Sequence, residues 1–567
     1  MPYRAPVSDT RFILNHVVGF SGVTSTERFA ETTSDMLDAI LEEAGRISTD
    51  VLAPLNRIGD KHPARLENGC VVSSPGFAEG YRAMADGGWI GMSADPAYGG
   101  MGLPMAVTTA VNEMMAGGCL SLQLNPMLTQ GQIEALEHHA SEELRALYLP
   151  KLISGEWSGT MNLTEPQAGS DVGALRAKAE PKGDGTFAVS GQKIYITWGD
   201  NDFTQNVCHL VLARLPGGGE GTKGISLFLV PKLIPDENGH PGVHNSLKVV
   251  SLEHKLGIHG SPTCVMQYDG ATGWLVGEPH KGMAAMFTMM NNARLGVAAE
   301  GVGIAEAALQ QAVAYAADRK QGKTPVSGAG TIIDHADVRR MLATMRAEVF
   351  AARAITLSCA VAIDMTTATG AADWRARAAF LTPIAKAYGT DIGCEVAHQA
   401  VQVHGGMGFI EETGAAQYSR DVRITPIYEG TNGIQAMDLV SRKMMDGGEA
   451  AFRLIDEVQR GAEEGRTAMP ELAGDVWTAA EALREATEGL LAQPLNDRFA
   501  GAAPYLRAFA RVLGADAHLR AALADNARTA LARVMIKRLL PEHAALLAQV
   551  KEGAAGLYDI SADDLAA

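Results

Sequence analysis

The order in which helix-like and strand-like stretches follow one another constrains this chain most. Residues 34–156 read mainly as helices. "SDMLDAILEEAGRISTDVLAPLNRIGD" spaces its apolar residues three and four apart behind a Ser34/Asp35 start signal, and "SEELRALYLPKLISGEW" repeats the pattern with a break expected near Pro150. From 157 to 278 the pattern changes to short β-rich runs, "FAVSGQKIYITWG", "CHLVLARL", "GISLFLVPKL" and "CVMQYDG", punctuated by "GDG" and "PGGGEGTKG". Helical texture returns near Lys281 and persists to about Met445. There "RLGVAAEGVGIAEAALQQAVAYAADRK" carries apolar residues on more than one face, as a helix inside a bundle does. "DGGEA" at 446–450 reads as a linker. A last helical region runs to about 555, with breaks expected at Pro494, Pro504 and Pro541, before an acidic tail. The strands form one block between helices, without β-α-β alternation. A doubly wound parallel sheet is therefore not expected, and the expected class is mainly α with a central β-domain. The expected divisions are an N-terminal extension and α-helical domain (1–156), a middle β-domain (157–278), a second helical domain (279–445) and a C-terminal helical extension (446–567).

At 567 residues the chain exceeds a single hydrophobic core, and its length suggests roughly three or four domains. A formal charge of −17 argues against nucleic acid or an anionic membrane as the main partner. The six cysteines are scattered, with neither C-x-x-C nor metal-ligand spacing, so a reducing compartment and no metal are expected. Asp9, Arg11 and His16 interrupt the apolar residues of the first twenty, and no uninterrupted apolar run approaches a membrane span; a cytoplasmic protein is expected. Gly219, Gly221 and Gly224 satisfy G-x-G-x-x-G but precede the β-like "ISLFLV", so they read as a loop between strands. "GKT" at 322–324 lacks the upstream glycine of a phosphate loop.

Three stretches carry candidate chemistry. "PIYEGTNGIQ" (426–435) sets one carboxylate, Glu429, on bendable backbone. By itself it fits a polar turn followed by a helix that Thr431 or Asn432 caps. "MNLTEPQAGSDVGALRAKA" (161–179) fits either a turn capped by Ser170 and Asp171, or a loop offering N–H groups and the hydroxyls of Thr164 and Ser170 to a planar cofactor. In "QKIYITWG", Tyr195 and Thr197 stand two apart and so share one face of a strand, where an aromatic and a hydroxyl can meet a ring system.

Taken in order and spacing, "LTEPQAGSD", "GQKIYIT", "VHGGMGF" and "IYEGTNGIQ" resemble the acyl-CoA dehydrogenase family over residues 35–445. The resemblance implies a helical domain, a β-barrel or sandwich domain and a four-helix bundle that holds FAD. It also implies dehydrogenation of an acyl-CoA thioester to the trans-2-enoyl-CoA, with an electron-transfer flavoprotein as acceptor, in a homodimer or dimer of dimers. Glu429 matches the family's catalytic base, and Gly430 beside it lets backbone and ligand approach closely. Leu163 (through its backbone), Thr164, Gly169 and Ser170 match the flavin-edge loop, and Tyr195 and Thr197 the strand beside the ring. Arg319 matches an arginine that reaches the FAD pyrophosphate across a subunit interface; on residue type alone it fits a helix-end cation equally. Gln402, Gly405 and Gly406 match the turn near the adenosine half, and Thr431 also touches FAD in this pattern. Ser170, Asn291, Arg294 and Gly430 match positions beside the CoA substrate.

The chain departs from the family pattern in places. "RKQGK" brings the glycine after Arg319 one place early and lacks an aromatic, and Asn291 stands where several relatives have Asp. Some relatives carry the base on the preceding helix, but "MFTMMNNARL" holds no carboxylate, which favours Glu429. "GGCLSLQLNPMLTQG" offers Leu122, Leu124, Met127 and Leu128 either to an acyl pocket or to plain helix core. The long C-terminal region, "EHKLGIHGSPTC" and "MPYRAP" look similar to the branch that dehydrogenates 3-methylmercaptopropionyl-CoA, which implies a short thioether acyl group. The extension reads as a docked domain, a dimer contact or a membrane contact; its acidic balance disfavours anionic lipid and DNA. Rival readings are a dehydrogenase for other acyl chains, an acyl-CoA oxidase, and a flavin-containing DNA-associated protein.

Overall fold

A computed structural model describes residues 3–324, 326, 328 and 330–567. The chain opens with α1 (Val7–His16) and α2 (Phe20–Thr24). Next comes α3 (Ser34–Ile47), where Thr33 caps the Met36 N–H, and a π-turn leads into α4 (Ala53–Lys61). A hairpin of β1 (Arg65–Glu67) and β2 (Cys70–Val72) precedes α5 (Phe77–Asp86), α6 (Met105–His139) and α7 (Glu142–Ile153). Contrary to the sequence expectation, α7 runs through Pro150. The proline stands one turn from the helix end, where it deprives only one upstream carbonyl of a donor, and the Ser154 N–H closes the turn on the Pro150 oxygen at 3.1 Å.

The strands that follow are β3 (Trp157–Asn162), β4 (Lys178–Pro181), β5 (Phe187–Thr197), β6 (Asn206–Arg214) and β7 (Ile225–Pro231). A small ribbon of β8 (Leu233–Pro235) and β9 (Pro241–His244) leads to β10 (Leu247–Leu252) and β11 (Thr263–Val276). Pairing runs β11–β5–β4–β6–β7 and returns to β11, closing a small barrel flanked by β10 and β3. β6 and β7 are buried on both faces. Val211, Ala213, Phe228 and Val230 fill the barrel, while Leu210, Leu212, Leu227 and Leu229 join the helical core. The glycine-rich 216–224 stretch is the β6–β7 connection, as read from sequence.

The bundle is built from α8 (Gly282–Asp318), α9 (Ala336–Thr369), α10 (Ala372–His404) and α11 (Ala415–Val422), with α6 against α8. A Cβ at Gly301 would stand 2.5 Å from the Gly389 oxygen, so α8 and α10 meet backbone to backbone. Inside, Arg353 (α9) pairs with Glu113 (α6) at 2.7 Å and Glu306 (α8) at 2.9 Å. α9 is long and apolar enough to cross a membrane, but most of its apolar window is buried within the bundle.

After α12 (Asn432–Val440) the chain continues as α13 (Glu449–Gly465), α14 (Pro470–Ala492), α15 (Leu495–Ala500), α16 (Ala502–Ala524), α17 (Thr529–Val534), α18 (Glu542–Glu552) and α19 (Ala562–Ala566). Pro494 and Pro541 precede helices, but Pro504 lies in the first turn of α16, where its missing N–H has no intrahelical partner to lose. The expected linker shrinks to a turn at 446–448, because α13 begins at Glu449. The extension docks on the bundle: α16 packs on α9, α10 and α12. Arg511 of α16 pairs with Glu348 of α9 at 2.5 Å, and Tyr388 of α10 donates to the same carboxylate at 2.6 Å. Arg528, beyond α16, pairs at 3.0 Å with Asp9 of α1, which also accepts Arg346.

Candidate active site

Glu429 stands on the irregular loop between α11 and α12. Its φ is +56° and that of Gly430 +86°, two consecutive left-handed residues that turn the chain sharply. For Glu429 this backbone costs about 1–3 kcal/mol and persists only where surroundings over-determine it. They do so here. Arg294 Nε (3.3 Å) and Gln435 Nε2 (3.1 Å) donate to the Glu429 carbonyl, and Lys386 Nζ (2.9 Å) donates to that of Gly430. A Cβ at Gly430 would lie 2.8 Å from Gln435 Nε2, so only glycine fits without displacing that amide. Thr431 caps α12 through the Ile434 N–H, and Asn432 ties the loop to α10, donating to Asp391 at 2.7 Å and Thr390 at 3.0 Å. The Glu429 N–H has no backbone acceptor among the described residues.

The carboxyl of Glu429 is half-buried, and its pKa is raised to about 7. Burial is the main cause, opposed by the charges of Arg294 and then Lys386. Lys386, fully buried, falls to about 8 through burial, partly offset by Glu429 and Asp391. Glu300 of α8, also fully buried, accepts the Tyr428 hydroxyl and rises to about 8, again through burial first. Sequence reading passed over Lys386, Glu300 and Gln435. The available signal was a lone charge in an apolar helical run, "LTPIAKAYG" and "RLGVAAEGVGI".

The flavin-edge candidates lie on the barrel. Leu163 and Thr164 follow β3, and their carbonyls accept Lys193 Nζ and the Ile194 N–H, both at 2.9 Å. Buried Glu165 accepts Lys193 at 2.8 Å and the N–H groups of Arg176 and Ala177 at 2.7 and 2.9 Å, pinning the loop to β5. Gly169 and Ser170 project from that loop into open space. Tyr195 sits at a bulge in β5 with φ +61° and is 61% exposed, while Thr197 is half-buried on the same side, opposite buried Ile196. The hydroxyls of Thr164, Ser170 and Thr197 have no hydrogen-bond partner among the described residues. An exposed aromatic on strained backbone beside unspent hydroxyls fits a planar, hydrogen-bonding ring such as the isoalloxazine.

Arg319 caps the far end of α8, exposed, and Tyr315 stacks on His404 at 4.4 Å. That contact brings Arg319 to the same end of the bundle as Gln402, Gly405 and Gly406, which are also exposed. Arg294 and exposed Asn291 lie toward the start of α8, about 37 Å from Arg319 at 1.5 Å per residue. Thr431, the FAD candidate on the loop that Arg294 grips, therefore stands at the opposite end from Arg319; one dinucleotide cannot span both, so within one chain these candidates do not converge. Leu122, Leu124, Met127 and Leu128 are all buried on α6, and Met127 abuts Gly296, two residues after Arg294. Buried Gln123 and Asn125 between them have no hydrogen-bond partner for their amides among the described residues.

Comparison with known proteins agrees with this architecture. The acyl-CoA dehydrogenase N-terminal, middle and C-terminal domain models match residues 28–156, 160–271 and 280–444, and an acetyl-CoA dehydrogenase C-terminal-like model matches 454–561. The chain is 46% identical over 520 residues to 3-methylmercaptopropionyl-CoA dehydrogenase of Ruegeria pomeroyi, covering 89% of this chain and 88% of that one. It is 36% identical over 478 residues to a butyryl-CoA dehydrogenase of Syntrophomonas wolfei, covering 80% and 78%. Caenorhabditis elegans ACDH-11, solved with C11-CoA, shares the fold at a TM-score of 0.79 and 18% identity, over 95% of this chain and 92% of that one. The chain belongs to the FAD-dependent acyl-CoA dehydrogenase family.

Proposed function

We propose that this acyl-CoA dehydrogenase oxidises 3-methylmercaptopropionyl-CoA to the corresponding trans-2-enoyl thioester, with Glu429 as the base. The observation that carries the base assignment is a half-buried carboxyl with a pKa of about 7, held on an over-determined left-handed turn. A base with a pKa near the working pH is both ionised and strong enough to take a thioester α-proton, and such placement contributes roughly 10²–10⁴-fold. As the α-proton moves to Glu429, negative charge grows on the thioester oxygen. The uncommitted Glu429 N–H is available to donate to it, its peptide being fixed by Arg294 and Gln435. FAD, when bound, supplies the acceptor for the β-hydrogen, which leaves with its electron pair as the double bond forms. Thr164, Ser170, Tyr195, Thr197 and Thr431 would hold its ring end, and Arg319, Gln402, Gly405 and Gly406 of a second copy of this chain its remainder. Leu163 contributes its backbone and Gly169 the space for approach, while Asn291, Arg294, Ser170 and Gly430 border the CoA ester.

The thioether substrate is supported by the Ruegeria relative. Butyryl-CoA is the second reading, favoured by the Syntrophomonas relative. Anaerobic mixing of the yellow protein with 3-methylmercaptopropionyl-, pentanoyl- and butyryl-CoA tests both. Flavin bleaching is expected, with kcat/KM about tenfold higher for the thioether than for its pentanoyl isostere. A clear preference for longer straight chains would remove the substrate assignment. Glu429→Gln is expected to keep FAD and lose nearly all turnover. An electron-transfer flavoprotein is proposed as acceptor; rapid peroxide formation in its absence would instead mark an oxidase.

A further inference from the structure

Lys386 and Glu300 are both fully buried, and neither forms an ion pair among the described residues. Taking either charge out of water costs several kcal/mol, and a fold that needed only volume there would use Met or Leu. What the two side chains do instead is hold one loop from two sides. Before Glu429, Tyr428 donates its hydroxyl to Glu300 on α8. After Glu429, Lys386 on α10 donates to the Gly430 carbonyl and to Asn432 Oδ1, each at 2.9 Å. The remaining lone pairs of the turn go to Arg294 and Gln435. The residue between the two grips, Glu429, is the one in this turn whose backbone is left-handed without being glycine.

We propose that Glu300 and Lys386 are positioning residues that clamp the peptides on either side of Glu429, holding its carboxylate where an α-carbon can reach it. The proposal rests on Glu429 being the base. Two consequences follow from the chemistry of the clamp. Releasing either grip lets the turn relax toward ordinary φ and swings the carboxylate; a displacement of about 1 Å costs on the order of 10²-fold in rate. Lys386 also opposes the effect of burial on Glu429, so removing its charge pushes the base's pKa further up. The titratable and charged groups around this pair are Tyr428 and Glu429 on the loop, Arg294 on α8 and Asp391 on α10; Arg294 in turn feels Asp438 of α12 and Arg442.

The test compares Lys386→Met, Lys386→Gln, Glu300→Leu and Glu300→Gln for FAD content, kcat, KM and the pH profile of kcat/KM. Lys386→Met is expected to hold FAD, keep KM within about twofold, lose at least about tenfold in kcat and move the acid limb to higher pH. Lys386→Gln retains a donor without the charge. It should recover much of kcat while keeping the shifted limb, and it reads the clamp even if the methionine variant fails to fold. Glu300→Gln can still accept the Tyr428 hydroxyl and should stay within about threefold of wild type in kcat, whereas Glu300→Leu should fall about tenfold. Folded, yellow Lys386 and Glu300→Leu variants with wild-type kcat and pH profile would overturn the clamp. Turnover by Glu429→Gln would instead overturn the base assignment beneath it, so the two failures are distinguishable.

Discussion

Glu429 combines a φ of +56° with a carboxyl pKa of about 7, and both have measurable consequences. The free enzyme's kcat/KM should fall below pH 7 with an apparent pKa near that value, since a protonated Glu429 takes no proton. Stability moves the opposite way. Because the folded pKa lies above the unfolded value of about 4.3, Glu429 favours the folded state fully below that value and progressively less as pH rises through 7. Glu429→Gln escapes this loss, so it should melt higher than wild type at pH 8 and lose that advantage at pH 4; thermal melts at the two values check the sign. Glu429 could be singled out as the candidate base from "IYEGTNGIQ", because a motif is local in sequence. The residues that hold it could not: Lys386 and Glu300 come from 43 and 129 positions upstream, and their partners are backbone atoms, to which sequence pattern is blind.

Among elements, α12 has the most exposed dependency. It begins at the loop that carries Glu429 and packs its outer side on α15 and α16 of the extension, while α10 presents Lys386 and Asp391 to the loop and Tyr388 to Arg511. Arg511→Met should therefore act twice. It leaves Glu348 buried without its cation, a loss of about 3–5 kcal/mol, seen as a lowered melting temperature. It also loosens α16 behind α12, seen as a lower kcat at temperatures where the protein is still folded. The existence and kind of these helices were legible from apolar spacing, but their ends were not. Pro150 and Pro504 each fall where a helix tolerates the ring, one near the end of α7 and one in the first turn of α16, and which turn a proline occupies is settled by packing.

Across the whole molecule, the candidate cofactor contacts fall at two ends of a bundle too long for one dinucleotide: Thr431 belongs to the loop that Arg294 grips, and Arg319 stands about 37 Å from Arg294 along α8. We propose a homodimer in which the partner's α8 end completes each site. Co-expressed Arg319→Ala and Glu429→Gln chains should then form mixed dimers with one intact site, restoring activity to about a quarter of all sites. Independent single-chain sites would restore none. The block order of helices and strands announced the layers of this fold and left docking as one of three readings of the extension; that it packs behind α12 depends on faces and not on order. That docking also sets a schedule for the cell. Some 84 residues separate the end of α12 from the end of α16, so during synthesis at 5–20 residues per second the loop's helix waits roughly 4–17 s for its outer wall to emerge from the ribosome. A half-made chain thus carries its acid and the side chains that grip it before it carries the wall behind α12.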